Sequence, residues 1–403
     1  MKIINSMEIS LRLYSDSFKA DAHIICPCNI KKKFTFCLNN DLKIISVKAD
    51  SHISFRKTGE VNLKFRSPSQ IIEITAESPV KELYISYSGM VQFDEEKKKN
   101  YNNVITQDIV SLSWYSVWFP QKFPFITLKN KVVLENGAPW FVLKAKYDPK
   151  NDVWDYSNPL NDPYNIIAYR KNKLNIISNE YMNIYTVEGD KKEIFQSFSK
   201  IYNDIIKYYN GNLFKKRHLS FTDVALIAPA INIPEAAYVR RGLLWCSTFG
   251  ETENEIIRLW AHETAHKWCS GARTGSWEDW LNETTAEWSA LLFALKSNNY
   301  ELFDSILLPK IKRYYDLPAI RTKDGSRPEG VHDKGTVVFY KVYSETDFET
   351  MEKVIRCFAD LKIKNTNFFI KKLRYKGLSK AADIIEQGLT EDVSIEYRAM
   401  NKF

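Results

Sequence analysis

The chain lacks any run approaching the ~20 apolar residues that a membrane-spanning helix needs. Its first stretch, Met1 to Arg12, alternates polar and apolar residues and holds no apolar core of signal-peptide length. There is no C-x-x-C pair among the six cysteines, Cys26, Cys28, Cys37, Cys246, Cys269 and Cys357. Cys26-Pro-Cys28 has a one-residue gap that does not suit the usual metal or redox spacing, and no second pair lies nearby. Reduced, buried or partly buried thiols are therefore expected, with the cytoplasm as the compartment and no membrane partner. Concentrated charge is also missing. The net charge of +8 comes from 57 Lys and Arg against 49 Asp and Glu spread along the chain, and the densest runs, Lys31-Lys32-Lys33 and Lys97-Lys98-Lys99, are short. Nucleic-acid binders concentrate basic residues on one element, so no nucleic-acid partner is expected. No internal repeat and no low-complexity linker interrupts the sequence.

What is present is an ordinary globular composition. A length of 403 residues allows two or three domains, and 44% hydrophobic with 26% charged residues suits buried cores under a solvated surface. Aromatics at 14% argue against disorder. The first half reads as β-structure: Met7–Tyr14, Lys33–Leu38, Leu42–Ala49, Val61–Arg66, Ile71–Ala76 and Glu82–Tyr87 are short apolar or alternating runs separated by turn-forming residues. The pattern resumes at Phe125–Leu128, Val132–Val133, Trp140–Lys146, Asn165–Tyr169 and Tyr181–Val187, around a loop rich in Asn, Asp and Pro near Asp148–Pro163. The character then changes. Glu193–Tyr208 places Ile194, Phe195, Phe198, Ile201, Ile205 and Ile206 at helical spacing, Asp223–Ile227 reads as a strand, and most of the chain from Asn254 reads as helix. The expected class is α+β, with a β-rich domain over 1–188 and a mainly helical domain over 189–403.

The chemistry concentrates in Glu253–Leu295. His262 and His266 are four positions apart, which on a helix puts both imidazoles on one face, one turn apart, within reach of one tetrahedral zinc ion. Glu263 beside the first is placed to act as general base toward a water that the metal would acidify. Ile256, Ile257 and Trp260 suit a helix embedded in the core. Such a site needs a third protein ligand, and a second helical segment starting near Asn282 offers Glu283, with Glu287 one turn further on. Glu283 is the expected ligand. Glu287 is either its competitor, a partner for the outer nitrogen of a metal-bound histidine, or a solvated helix charge.

The run His262-Glu263-Thr264-Ala265-His266-Lys267-Trp268, followed by Trp280-Leu281-Asn282-Glu283, resembles the aminopeptidase N family of zinc metallopeptidases. These are gluzincins whose pattern is H-E-x-x-H-x-W and then W-L-N-E. The resemblance implies a thermolysin-like catalytic domain, one zinc ion on His262, His266 and Glu283, Glu263 as base, and a peptide substrate. It covers the second half of the chain, and the β-rich first half agrees in class with the family's saddle-like N-terminal domain. Three departures stand out. Residues 267 to 282 make sixteen between the second His and Glu283, where the family usually has eighteen. The family's Gly-x-Met-Glu-Asn strand, whose Glu holds the substrate's free amine, corresponds to Ala236-Ala237-Tyr238-Val239-Arg240 with Arg241-Gly242 following. Val239 then stands at the Glu position. A valine cannot pair with an ammonium, and Arg240 and Arg241 would repel one. The strand from Ala237 to Arg241 is still expected to bind substrate backbone by strand addition, with the arginines meeting a carboxylate or facing solvent; Glu235 is the alternative anchor under a shifted register. Finally, the family's Tyr-x-Lys-Gly, whose Tyr stabilises the oxyanion, matches His332-Asp333-Lys334-Gly335. An imidazole can donate the same hydrogen bond, so His332 is the expected oxyanion stabiliser, with Tyr314 and Tyr315 as backups. No chain remains for the large helical C-terminal domain of many family members. Two functions follow: a zinc peptidase, exo- or endo-acting, or a non-catalytic relative that uses the fold to bind a peptide or protein.

Overall fold

In the computed structural model the chain is described over residues 5–30, 33–62, 67–90, 104–121, 127–156, 165–178, 180–187, 192–215, 222–226, 237–240, 243–246, 250 and 252–391. The first half is built of sheets. A seven-stranded sheet runs, in spatial order, Lys146–Asp148, Val153–Asp155, Thr127–Glu135, Asn5–Leu13, Phe18–Ile30, Val80–Gly89 and Leu42–Ala49. A three-stranded sheet of Lys33–Asn39, Ser69–Ala76 and Ile53–Val61 packs with it. Alternation explains the core between them. Met7, Ile9, Leu11 and Leu13 point inward from one strand, and Phe34, Phe36, Ile72 and Ile74 face them from the other sheet. The strand Phe18–Ile30 escapes a reading of sequence because its inward positions include Ala20 and Ala22, too small to give a strong period-two signal. Ile53–Val61 escapes it for the opposite reason, as an almost wholly solvated edge strand. Of the expected strand Val61–Arg66, residues 63–66 lie outside the described residues.

A five-stranded sheet begins the second half: Asn175–Ser178, Met182–Thr186, Thr222–Leu226, Leu243–Cys246 and, at the edge, Ala237–Arg240. The strand Met182–Thr186 pairs in parallel with Thr222–Leu226 across the intervening helix α1 (Lys192–Tyr208). We retain the division at 188/189 as a proposal about chain order, since this sheet crosses it and brings Met182 and Ile184 into the core of the helical half. The two halves meet at a small apolar cluster in which Ile109, Ile167 and Tyr169 face Tyr185, Leu243 and Trp245. Trp245 Nε1 also donates to Ser111 Oγ across it at 3.0 Å.

Seven further helices follow: α2 (Glu253–Ala265), α3 (Trp280–Lys296), α4 (Tyr300–Arg313), α5 (Val331–Glu345), α6 (Phe348–Ala359), α7 (Thr366–Tyr375) and α8 (Ser379–Thr390). The fold class is thus α+β as expected, β-sheets first and helices second. α2 starts at a capping box: Thr252 Oγ1 accepts from Glu255 N at 3.2 Å and Glu255 Oε2 accepts from Thr252 N at 3.0 Å. Its inner face buries Ile256, Ile257, Trp260 and Ala261. α3 is buried on nearly every side, which makes it the central post of the helical half. No helix among the described residues is long and apolar enough to cross a membrane. Cys37, Cys246, Cys269 and Cys357 are buried thiols.

Candidate metal centre

The last turn of α2 presents His262 and His266, and the first turn of α3 presents Glu283. Three atoms converge. His262 Nε2 lies 3.2 Å from His266 Nε2 and 3.5 Å from Glu283 Oε2, and His266 Nε2 lies 3.9 Å from the same oxygen. A tetrahedral zinc with bonds of about 2.0–2.2 Å separates its ligand atoms by about 3.3–3.6 Å, so the three sit close to the corners of one face. Two nitrogens and a carboxylate oxygen also suit zinc chemically. The opposite nitrogens are held. His262 Nδ1 is 2.8 Å from Glu287 Oε2, and His266 Nδ1 is 3.3 Å from the carbonyl oxygen of Cys269. Those acceptors fix the Nδ1–H tautomer and leave each Nε2 lone pair facing the common centre. A carboxylate oxygen of Glu263 lies within 4.8 Å of ligand nitrogens of both histidines.

A second triple, His262, Glu287 and His332, also clusters within 4.8 Å. Its key contact is the 2.8 Å separation of His262 Nδ1 and Glu287 Oε2, a hydrogen-bond length well under the edge of a metal tetrahedron. The other Glu287 oxygen is engaged by Lys310 Nζ at 3.2 Å. Glu287 therefore serves as the acceptor behind His262. It is 4% exposed, and Lys310 is 8% exposed. Burying such charges is tolerated only with partners, and the chain supplies a string of them. Lys310 Nζ also reaches Asp333 Oδ1 at 2.9 Å, and Arg313 Nη1 reaches Asp333 Oδ2 at 2.8 Å. The electrostatics agree. Burial alone pulls the His262 imidazolium down, but the Glu283 and Glu287 carboxylates outweigh it and raise its pKa to about 10. Burial pushes both carboxyls up, and the nearby histidines bring each to well below the usual carboxylate range. The pocket is a strongly cation-seeking one.

His332 sits in the first turn of α5, with its ring centroid 5.3 Å from that of His262 and its Nε2 3.4 Å from Glu287 Oε2. That nitrogen is buried and makes no hydrogen bond among the described residues. Two glycines allow α5 to come this close. A Cβ at Gly335 would overlap Thr284 Oγ1 on α3, and one at Gly330, the positive-φ residue (φ 63) before α5, would overlap Leu317. Tyr314 is taken up elsewhere, donating to Glu391 Oε2 at 2.8 Å and accepting from Lys341 at 3.1 Å, which corrects its expected backup role. Tyr315 is half exposed.

The turn that delivers Glu283 is built by residues that spacing alone did not single out. Asn282 Oδ1 accepts from Ala272 N at 3.0 Å, and its Nδ2 donates to Ala272 O at 3.1 Å and to Asp279 Oδ1 at 2.8 Å. Arg327 Nε donates to the other Asp279 oxygen at 2.8 Å. These bonds pin the short connection from α2 to α3. Lys310 was also missed, although it continues the buried stripe Phe303, Ile306, Leu307 of α4 at helical spacing, the one signal that marked it. Of the expected substrate strand, Ala237, Tyr238, Val239 and Arg240 form the edge strand, whose backbone runs antiparallel to Leu243–Cys246. Arg241, Ala236 and Glu235 lie outside the described residues.

No family model matches the chain, and no curated protein matches it in sequence. Solved structures do match in fold. An M1 zinc metallopeptidase from Deinococcus radiodurans superposes with a TM-score of 0.59 at 12% identity, covering 96% of this chain and 94% of that one. A mutant from that organism, bound to a Tyr-Ser-Ala substrate, gives 0.56 at 12% identity, with the same coverage. A mutant two-domain M1 zinc metallopeptidase bound to L-arginine gives 0.58 at 12% identity, again over 96% and 94%. Over nearly its whole length, this chain shares the fold of M1 zinc metallopeptidases.

Proposed function

We propose that the chain is a zinc-dependent peptidase of divergent aminopeptidase N type, acting in the cytoplasm on a peptide substrate. The observation that carries this reading is the convergence of His262 Nε2, His266 Nε2 and Glu283 Oε2, with the outer nitrogens of both histidines held by Glu287 and Cys269 O. His262, His266 and Glu283 would hold a single zinc ion, which would supply Lewis acidity toward a peptide carbonyl and toward water. Glu263 takes the proton of the attacking water. His332 donates a hydrogen bond to the oxygen of the attacked carbonyl as charge develops there. The edge strand Ala237–Arg240 takes the substrate backbone by strand addition, with Arg240 and Arg241 meeting an acidic group. The division of the chain at 188/189 gives the β-rich half a supporting role and places all of these residues in the second. The neighbours' ligands, a tripeptide and an amino acid, support a peptide substrate.

Val239, which aligns with the family's amine-anchoring Glu, argues for endopeptidase action or a specialised substrate, while the resemblance to the family argues for removal of N-terminal residues. Mass spectrometry of a peptide pool with free and acetylated N-termini, incubated with zinc-loaded protein, tests the reading. Internal cuts in blocked peptides establish an endopeptidase; trimming of free N-termini alone requires an anchor other than Val239. Absence of cleavage in both pools contradicts the peptidase reading and leaves a peptide-binding relative. His332→Phe is expected to lower kcat by about 10²–10³-fold with zinc content unchanged. An unaltered kcat removes His332 from its role.

A further inference from the structure

A cavity of about 280 Å³, lined by none of His262, His266 and Glu283, opens where the turn after α1 meets α6 and α7. The volume lies just below the about 300–1,000 Å³ of sites that hold drug-sized molecules, which limits the occupant to a smaller one. Its apolar lining comes from Leu213, Phe214, Trp268, Cys357, Ala359 and Leu378. Phe214 and Trp268 form a stacked pair with centroids 4.5 Å apart and planes 10° from parallel. The chain reaches Phe214 through a π-helical turn, Tyr209–Leu213, a backbone irregularity that occurs frequently at functional sites.

The mouth is cationic. Lys215 after that turn, Lys353 and Arg356 of α6, and Lys372 and Lys376 of α7 all border the cavity, with Asp360 the one acidic residue among them. Arg356 is partly answered by Glu352 at 3.5 Å. Among the described residues, none of Lys215, Lys353, Lys372 and Lys376 has a carboxylate within ion-pair distance; Lys372 and Lys376 lie only over the ring of Tyr375 at 5.8 and 5.7 Å. Their field reaches inward: burial raises the Cys357 thiol's pKa, and Lys372 and Lys376 oppose that rise. Like charges drawn from three segments to one mouth repel each other, and a bound anion would relieve that repulsion. Four lysines and Arg356 beside an apolar cavity suit an anionic head group carried on an apolar body.

We infer that this cavity binds a small amphipathic carboxylate, its apolar body against Phe214 and Trp268 and its head among Lys353, Lys372 and Lys376. The inference stands independently of the peptidase reading. Isothermal titration calorimetry of the full chain tests it, with octanoate as the probe, octan-1-ol as the body without charge, and acetate as the charge without body. Octanoate is expected to bind at one molecule per chain, at least about tenfold more tightly than either control. The double reversal Lys372→Glu/Lys376→Glu, at a half-buried and an exposed position, is expected to weaken octanoate by at least about tenfold, and the single Lys353→Glu to a smaller degree. Lys43→Glu/Lys48→Glu, on the N-terminal sheet, should leave it unchanged, and circular dichroism confirms that each variant is folded. Failure of octanoate to bind overturns the inference. So does binding that survives Lys372→Glu/Lys376→Glu, or acetate or octan-1-ol matching octanoate.

Discussion

The two halves of this molecule treat charge in opposite ways. In the β-rich half the buried polar side chains are neutral: Asn39, Ser69, Gln70, Ser111 and Gln121 among them, while its ion pairs, such as Arg12–Glu135 and Arg56–Glu73, lie at the surface. In the helical half the buried set includes Asp279, Glu287, Lys310 and Lys334. A neutral buried group needs only hydrogen bonds, whereas a buried charge must also recover its desolvation from neighbours of opposite sign. Such an arrangement rarely stabilises a fold better than apolar packing would. Its position is therefore informative: Glu287 and Lys310 lie directly behind His262, and Asp279 braces the turn that presents Glu283. Three of these four charges are thus buried around the candidate metal site, Lys334 instead donates to Leu317 O and Glu391 O, and no charge is buried in the described β-rich half.

Three substitutions would break or sharpen that contrast. Lys310→Met leaves Glu287 and Asp333 facing each other without their shared cation, and is expected to cost about 3–5 kcal/mol in urea or thermal unfolding. Adding Glu287→Gln to it should recover part of the loss, since the buried carboxylate that Lys310 answered is then gone and Asp333 keeps Arg313. A Lys310→Met effect under about 1 kcal/mol would mean that the network is solvated. Next comes Gln70→Leu in the β-rich half, where the amide donates to Asn39 O at 3.0 Å and also to Leu42 O. Leaving those carbonyls unpaired should cost about 1–3 kcal/mol, less than the buried charge. Smallest is Arg12→Ala, which breaks the exposed Arg12–Glu135 pair and should cost under about 1 kcal/mol, less still in high salt. Reversal of that order would dissolve the distinction between the halves.

Much of this was legible in the sequence, unevenly. The i, i+4 histidines and the W-L-N-E run suffice to bring His262, His266 and Glu283 together, because helical geometry fixes the first pair and a short connection limits the third. Helices with long periodic stripes were legible for the same reason. The strand Phe18–Ile30 was not, since alanine at its inward positions weakens the alternation. Nor was the link between Glu287 and Lys310, which joins α3 to α4 through a tertiary contact that no local spacing encodes. His332 was legible as a candidate, but its approach depends on Gly335 fitting against Thr284, a fact of packing. The sheet that crosses residues 188–189 was hidden because its parallel pairing links strands on either side of α1.

His262, His266 and Glu283 are proposed to hold a catalytic zinc served by Glu263. Zinc content and hydrolysis of a mixed peptide pool, measured side by side on the native chain and Glu263→Gln, test it most directly. One zinc per chain is expected in both, with cleavage in the native chain alone, abolished on chelation. Equal cleavage by Glu263→Gln, or a native chain that carries stoichiometric zinc and cuts no peptide, would contradict it.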